Sequence, residues 1–317
     1  MSRIHEALKR AEQERSQPIE PSVPPAVPDA SPSVAPQRQS EPAEAPALFP
    51  SSPLESSSPS DSRVRSHADQ FLRFEDIWDA CTMVPWKVTS SRSVFAGNAN
   101  SVAAEQFRTL RSRLYQVRDR TPLKTILVTS ALVAEGKTFV ASNLAQALAK
   151  QKGCKVLLVD ADLRCSNLHA SLGANSSPGL SDYLAGTSEA SKIMQKGFDE
   201  YLCFIPGGAK FADPAELLAN GRLKQLLVRI TPLFDWVIID SPPALPVADS
   251  MLLADLSDGV VCVVRAAFTD FASAQKSCQQ LQQKGLLGIV LNCADEAPSY
   301  GAYYNSLPAR VLDGSAA

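Results

Sequence analysis

Apolar runs alternate with amphipathic segments along the chain from Leu123 onward. Segments with an apolar residue at every third or fourth position predict helices near residues 137–152, 214–230, 247–256 and 270–284. Short runs rich in Val, Ile and Leu predict buried strands near residues 124–130, 155–160, 202–206, 235–240, 259–265 and 286–292. Strands that alternate with helices through short loops favour an α/β fold, a doubly wound and mainly parallel sheet with helices on both faces.

One more helix and a mixed segment come before this alternation. Ser101 can cap the helix, and apolar residues at helical spacing extend it over residues 101–118. We therefore predict a single domain over residues 98–292. Residues 63–97 are a variable segment with side chains that can pack on this domain, namely Phe71, Phe74, Ile77, Trp78 and Trp86.

The two ends of the chain have a different pattern. Residues 1–15 predict a short amphipathic helix, which is either a frayed terminus or a docking helix for another protein. Residues 16–62 contain 24 Pro or Ser among 47 residues, too few apolar groups to offset chain entropy, and predict a disordered linker. Residues 293–317 are polar and predict a flexible tail.

Composition narrows the class of protein. The net charge of −2 gives no reason to expect a nucleic acid as partner. Seven scattered cysteines, an odd number without Cys-x-x-Cys pairs, fit a reducing cytosol better than a disulfide framework or a zinc site. No apolar run approaches the roughly 20 residues of a transmembrane segment. We expect a cytoplasmic protein that reaches a membrane only through a partner.

Candidate chemistry begins where the first predicted strand ends. The loop closes with Gly-Lys-Thr before a helix, and there backbone N–H groups can cradle phosphate oxygens. Lys137 would reach the β- and γ-phosphates of ATP, and the Thr138 hydroxyl can bind Mg²⁺. Ala131 replaces the first glycine of the strict pattern. The predicted nucleotide-binding residues of this loop are Val133, Ala134, Glu135, Gly136, Lys137, Thr138 and Phe139.

Two more strands end in a carboxylate. Asp160 and Asp240 each follow an apolar run, at the sheet edge where doubly wound folds bind ligands. There both can hold Mg²⁺ or its waters beside a triphosphate. One Asp at a strand end is as readily a turn or capping residue. Three such motifs in order predict a P-loop protein that binds ATP or GTP, with Thr138, Asp160 and Asp240 at the metal.

These motifs resemble those of the bacterial tyrosine kinases of exopolysaccharide systems, the BY-kinases, which share their fold with the MinD/ParA class of ATPases. The resemblance rests on Asp-Ala-Asp at residues 160–162 and Asp-Ser-Pro-Pro at residues 240–243. Residues 105–111 fit the Glu-x-x-Arg-x-x-Arg helix of that family, and residues 213–218 fit its Pro-x-Glu-Leu-Leu helix start. The opening Met-Ser-Arg-Ile-His-Glu-Ala-Leu-Lys is similar to autokinases without a fused membrane domain.

The resemblance implies an ATP- and Mg²⁺-dependent kinase that phosphorylates tyrosines in its own tail or that of a neighbour. Tyr300, Tyr303 and Tyr304 are the implied acceptors, although chance clustering or a small packing patch also explains them. Asp162 is implied as the group that orients or deprotonates the acceptor hydroxyl beside Lys137 and Asp160. The alternative for Asp162 is a capping residue of the next turn.

Further roles follow from the same resemblance. Glu105, Arg108 and Arg111 would contact a neighbouring subunit in a homo-oligomer, the alternative being a solvated charged face. Asn292 would read the adenine edge, or else form a turn. The partners implied are protein substrates with tyrosine and a membrane-embedded polysaccharide co-polymerase, which would place the protein on the cytoplasmic side of the inner membrane.

Two departures from the family pattern matter. The family usually carries Pro-Gly where this chain has Val133 and Ala134, and glycine there allows a positive φ. The signature lysine of MinD/ParA proteins would fall near Leu132 and is missing, which argues against that branch. Two alternatives to a kinase stay open: an ATP switch that controls partner binding, and a catalytically dead scaffold.

Overall fold

The structure is a computed structural model, and it describes residues 73–89, 91–96, 101–197 and 201–294. The predictions for the helix at residues 1–15, the linker at residues 16–62 and the acceptors Tyr300, Tyr303 and Tyr304 lie outside the described residues. Among the described helices none is long and apolar enough to cross a membrane.

Helices and strands alternate through the described chain. The strands are β1 Thr82–Met83, β2 Thr125–Ser130, β3 Val156–Asp160, β4 Gln195–Lys196, β5 Leu202–Ile205, β6 Trp236–Asp240, β7 Gly259–Arg265 and β8 Leu286–Asn292. The α-helices are α1 Phe74–Ala80, α2 Val102–Arg118, α3 Lys137–Ala149, α4 Leu168–Leu172, α5 Leu180–Leu184, α6 Pro214–Ala219, α7 Arg222–Ile230, α8 Asp249–Ala254 and α9 Phe271–Gln282.

The strands form one mainly parallel sheet in the order β1-β4-β5-β3-β6-β2-β7-β8. The one antiparallel pair in the described sheet joins β4 and β5. Register brings Asp160 at the end of β3 directly beside Asp240 at the end of β6. The strand order therefore gathers the ends of β3, β6 and β2 at one place on the carboxyl edge.

Both faces of the sheet are covered by helices, so its central strands are buried throughout. Alternate strand residues belong to two separate apolar clusters, because successive side chains point to opposite faces. Leu127 and Leu157 pack on the face that α1, α5, α7 and α9 cover. Ile126 and Leu158 pack on the other face, under α2, α3 and α4. The predicted doubly wound α/β architecture is confirmed.

Residues 73–96 pack on the domain. Phe74 and Ile77 of α1 are buried in the first cluster, and Phe74 meets Phe234 edge to face at 5.4 Å between ring centroids. Val94 and Phe95 pack against the second cluster. The structural unit therefore begins upstream of residue 98, earlier than the boundary predicted from the pattern.

The predicted elements differ from the observed ones in three respects. The short helices α1, α4 and α5 were not predicted, because five to seven residues carry little helical periodicity. The helix predicted near residues 214–230 is two helices, because the chain turns at Gly221 with φ +79°, a conformation that favours glycine. The two-residue strands β1 and β4 were not predicted, since so short a segment carries no alternation of its own. The six longer strands lie within one residue of the predicted bounds.

Candidate nucleotide-binding and phosphoryl-transfer site

The predicted site residues meet at the carboxyl edge of the sheet. The loop after β2 leads into α3, whose first residue is Lys137, while Asp160 and Asp240 end the neighbouring strands β3 and β6. Since all three strands are parallel, their ends face the same crevice. Residues separated by up to about one third of the chain are thereby brought within ion-pair distance of one another.

Gly136 gives the loop its final turn. It precedes α3 with φ +93° and ψ +22°, and its carbonyl accepts the first helical bond, from Val140 N at 2.9 Å. A Cβ placed on Gly136 would lie 2.1 Å from the side-chain nitrogen of Asn292. Both the positive φ and this close approach require glycine, and together they leave the N–H groups at the start of α3 available for phosphate.

The loop is fastened from outside by the ends of β7 and β8. Glu135 is fully buried, and its carboxylate accepts hydrogen bonds from Leu132 N at 2.5 Å and from the Thr269 hydroxyl. Asn292 Nδ2 donates to the Glu135 carbonyl at 2.9 Å, and Arg265 Nη1 donates to the Ala134 carbonyl at 3.3 Å. The Glu135 side chain therefore holds the loop in shape, and a contact of Glu135 with nucleotide stays a prediction.

Lys137 is the only cation in direct contact with the carboxylates at the ends of β3 and β6 among the described residues. Its Nζ donates to Asp162 Oδ2 at 2.6 Å and lies 3.9 Å from Asp240 Oδ1. Burial disfavours the charged ammonium, but the carboxylates of Asp240 and Asp162 outweigh burial and raise the pKa of Lys137. Lys137 is consequently protonated at neutral pH, as binding of phosphate requires.

Asp160 and Asp240 are buried carboxyl groups. Burial raises the pKa of Asp160 to about 7, and the nearby charge of Asp240 acts in the same direction. Burial also raises the pKa of Asp240 to about 6, although the charge of Lys137 opposes this rise. Ionising both carboxyl groups side by side is costly. A further cation at this place would stabilise their ionised forms.

The donor set at these carboxyl groups fits Mg²⁺. Asp240 Oδ1 is buried without a hydrogen-bond partner among the described residues, so it has an unused acceptor for a cation or its water. Within the described ranges no three His, Cys, Asp or Glu side chains are grouped as a complete metal site. That is expected for Mg²⁺, which proteins usually bind through one or two carboxylates together with nucleotide phosphates.

The sequence left two roles open for Asp162, a group beside Lys137 and a capping residue of the next turn, and Asp162 makes a contact of each kind. Its Oδ2 accepts from Lys137 Nζ, while its Oδ1 accepts from Cys165 N at 3.0 Å, a capping contact of the following turn. Asp160 holds the same turn, accepting from Ser166 Oγ at 2.8 Å and from Leu168 N at 3.2 Å. The carboxylates of Asp160 and Asp162 are thus positioned by the segment that follows β3.

The rest of the predicted nucleotide site lies around the loop. Val133 is 63% exposed at the loop tip. The Phe139 ring packs against Phe107 of α2, with 6.0 Å between ring centroids. Asn292 lies against the loop backbone, and its role towards adenine stays a prediction.

The charged residues of α2 have partners within the chain. Glu105 and Arg108 form an ion pair at 2.8 Å, one turn apart on the helix. Arg111 Nη1 donates to the Ala147 carbonyl near the end of α3 at 2.7 Å, so this side chain also joins α2 to α3. Contact of these three residues with another subunit stays a prediction.

Sequence reasoning missed the supports of the site. Arg164 forms a two-point ion pair with the buried Asp249, at 2.7 and 3.0 Å. Thr269 and Arg265 reach the loop from more than 130 residues away along the chain. The alternating pattern predicted that a helix follows β7 in the chain. It contained no signal that the residues at the end of β7 would contact the nucleotide loop.

Fold and site together define a nucleotide-binding P-loop protein, and comparison with known proteins identifies its family. Residues 123–283 match the family described as an AAA domain. The tyrosine-protein kinase YwqD of Bacillus subtilis is 34% identical over 194 residues, which cover 61% of this chain and 81% of that protein. The chain belongs to the family of bacterial tyrosine-protein kinases.

Two further comparisons concern one relative. The tyrosine-protein kinase etk of Escherichia coli is 35% identical over 201 residues, 62% of this chain but 27% of that protein. The solved kinase domain of that enzyme has a TM-score of 0.62 and 32% identity, covering 65% of this chain and 81% of the domain. This chain therefore spans most of the isolated kinase domain and about a quarter of the longer relative.

Ala134 should be a strained position in the loop. Its φ is +62°, in the left-handed region, where a side chain costs on the order of 1 kcal/mol. We expect Ala134→Gly to raise the free energy of unfolding by up to about 1 kcal/mol, since relief of strain outweighs the greater freedom of glycine in the unfolded chain. Urea unfolding measures the change.

The matched control for this substitution is Ala272→Gly. Ala272 is also exposed, but it lies in the first turn of α9 with helical backbone, so the same change removes no strain and should lower stability slightly. Equal destabilisation by both substitutions would show that Ala134 is not strained.

The raised pKa of Asp160 predicts a pH-dependent stability. Its folded pKa of about 7 exceeds the unfolded value of about 3.9, so the folded chain binds more protons and its stability falls as pH rises between these values. Asp160→Asn removes the ionisation. We expect the stability of this variant relative to wild type to increase by about 1–3 kcal/mol from pH 5 to pH 8. Thermal unfolding of the nucleotide-free proteins tests this, and a pH-independent difference would contradict it.

Proposed function

We propose that this protein is an ATP-dependent protein-tyrosine kinase that phosphorylates its own C-terminal tyrosines and acts in exopolysaccharide or capsule biosynthesis. The observation that carries the proposal is Lys137, held by Asp162 and Asp240 at the end of a phosphate-binding loop. Membership in the tyrosine-kinase family supports this reaction. The similar proteins are kinases, which favours a kinase over the alternative of an ATP switch.

Lys137 would change partners when ATP binds. Its Nζ now contacts Asp162 at 2.6 Å, and a γ-phosphate in the loop would compete for the same ammonium. As Lys137 turns to the phosphate, the Asp162 carboxylate loses its closest cation. Its Oδ2 is then free to accept a hydrogen bond from the hydroxyl of the acceptor tyrosine.

The transfer step then balances as follows. The tyrosine oxygen forms a bond to the γ-phosphorus, and the bond between that phosphorus and the β–γ bridging oxygen breaks. The phenolic proton passes to Asp162, and ADP leaves with the negative charge of the broken bond. Lys137 and the N–H groups at the start of α3 stabilise the charge on the phosphate oxygens.

Thr138, Asp160 and Asp240 would hold Mg²⁺ beside the phosphates. The ion would supply positive charge to the β- and γ-oxygens. Asp160 and Asp240 would be ionised in that state, since a divalent cation lowers the cost of burying two carboxylates together. The unpartnered Asp240 Oδ1 supports this assignment.

The acceptor tail would be presented in a homo-oligomer through the charged side of α2. Glu105, Arg108 and Arg111 lie three residues apart along this helix and therefore on neighbouring positions of one side. Within the described chain Glu105 pairs with Arg108, and Arg111 contacts a backbone carbonyl, and another subunit could share these contacts. Sizing of wild type against Arg108→Ala/Arg111→Ala tests this, and the same species for both would exclude the interface.

Membrane association would come through a partner, a membrane-embedded polysaccharide co-polymerase on the cytoplasmic face of the inner membrane. The support is the resemblance of the first nine residues to autokinases without a fused membrane domain. Co-sedimentation with membranes should depend on that partner. Unchanged sedimentation in cells that lack it would exclude this part of the proposal.

Lys137→Met should abolish phosphotyrosine formation while the fold is kept. The substitution leaves the charge of the γ-phosphate without its ammonium, which we expect to cost at least about 100-fold in rate. The measurement is an anti-phosphotyrosine assay with ATP and Mg²⁺. Lys152→Met, on an exposed turn after α3, is the control and should keep wild-type activity. Undiminished phosphorylation by the Lys137 variant would rule out this loop as the active site.

The phosphates should lie on Tyr300, Tyr303 and Tyr304. Tyr115 is unsuitable because its hydroxyl accepts from Trp236 Nε1 at 3.2 Å and burial raises its pKa. Tyr183 is buried in the core. Peptide mapping after incubation with ATP should find phosphate in the tail alone. Phosphate on Tyr115 with an unmodified tail would contradict the assignment.

A further inference from the structure

A pocket lies beside Asp160, and no residue of the nucleotide loop lines it. It has a volume of about 260 Å³ and lies between the segment after β3 and the segment after β5. Arg164, Ser166, His169, Gly207, Gly208 and Lys210 are among the residues that line it. The reaction described above uses none of these side chains.

The pocket shares a wall with the active site. Ser166, in its lining, donates its hydroxyl hydrogen bond to Asp160 at 2.8 Å. A Cβ on Gly207 would lie 2.4 Å from Ser166 Oγ and 3.7 Å from the carboxyl carbon of Asp160. Any side chain at position 207 would therefore fill the space between Asp160 and the pocket.

The charged groups that line the pocket are cationic, in contrast to the acidic centre beside it. Arg164 is fixed by Asp249 through Nε and Nη2. Lys210 is exposed and has no carboxylate partner in the described part of the chain. His169 Nδ1 is buried, and among the described residues nothing hydrogen-bonds to it. The pocket thus offers positive charge and an unused polar atom.

Three carboxylates lie close to this lining, of which Asp249 accepts from Arg164 and Asp160 accepts from Ser166. Asp182 is behind Gly208, where a Cβ on that glycine would come 2.6 Å from Asp182 Oδ2. The same oxygen accepts hydrogen bonds from Gly179 N at 2.7 Å and Ala209 N at 3.3 Å. These backbone donors satisfy Asp182, so Lys210 is left available for another anion.

We propose that this pocket binds a phosphotyrosine side chain of the acceptor segment while another tyrosine of the same segment is at the active site. The volume exceeds the roughly 150 Å³ of a cavity that accommodates benzene, so an aromatic ring with its phosphate can enter. A phosphate monoester carries a charge of about −1.5 to −2. It therefore pairs with the two cations Lys210 and Arg164 better than a carboxylate, which carries a single negative charge.

The spacing of the acceptors agrees with two adjoining sites. Tyr300 and Tyr303 are three residues apart, a span of at most about 10 Å along an extended chain. Ser166 lines the pocket and also donates to Asp160 at 2.8 Å, so one short segment can reach both places. The first phosphate would anchor the segment and so favour transfer to the next tyrosine. This inference rests on the proposed kinase function.

Direct binding tests the pocket without any turnover. The probe is a peptide of residues 298–307, either unmodified or phosphorylated at Tyr303, titrated into the full chain with ADP and Mg²⁺ so that the nucleotide loop is occupied. We expect the phosphopeptide to bind about tenfold more tightly, as charge-assisted hydrogen bonds to phosphate imply. Lys210→Ala and His169→Gln should each reduce this preference, and Lys192→Ala, an exposed lysine paired with Glu189, should leave it unchanged.

Kinetics then connect the pocket with the reaction. With wild type, kcat/KM for phosphorylating Tyr300 should be higher in the peptide that already carries phosphate at Tyr303, and Lys210→Ala should remove that advantage without changing the rate on the unmodified peptide. Equal affinity for both peptides, or a preference that survives both pocket variants, overturns the inference. Absence of any phosphorylation beside intact phosphopeptide binding would instead contradict the proposed kinase function.

Discussion

The site depends on one buried ammonium group. The parallel strands β3 and β6 bring the carboxyl groups of Asp160, Asp162 and Asp240 to one edge of the sheet, where burial raises the pKa of Asp160 and of Asp240. Lys137 is the cation that offsets them, at 2.6 Å from one and 3.9 Å from another. The same group is the one that phosphate must attract. Without a nucleotide it stabilises the fold, and with one it serves the chemistry.

The phosphate-binding loop obtains its shape from its neighbours more than from its own sequence. A glycine-rich loop is free to adopt positive φ at several positions, whereas this chain has only Gly136 there and must place Ala134 at φ +62°. Glu135, fully buried, ties the loop to Thr269, and Arg265 holds the Ala134 carbonyl. Contacts from residues at the ends of β7 and β8 therefore hold this loop in a shape that a glycine-rich loop would adopt without them.

The sequence predicted those features that follow from local pattern. Six strands were placed within one residue, because each is a compact apolar run, although β8 at the edge of the sheet is only partly buried. Asp160 and Asp240 were predicted to lie together because parallel strands end at a common edge. The break at Gly221 was missed, since the residues on both sides continue a helical period. Contacts such as Thr269 with Glu135 join distant segments and have no local pattern.

The position of Asn292, where β8 ends, determines where the C-terminal tyrosines are tethered. The Asn292 side chain lies against the nucleotide loop, so β8 ends beside that loop. Tyr300 follows eight residues later, a reach of at most about 29 Å. A group tethered that closely is present at an effective concentration on the order of millimolar. In an oligomer whose active sites lie within this reach, the tether would set the local concentration of acceptor tyrosine. That concentration would not depend on how much of the protein the cell contains.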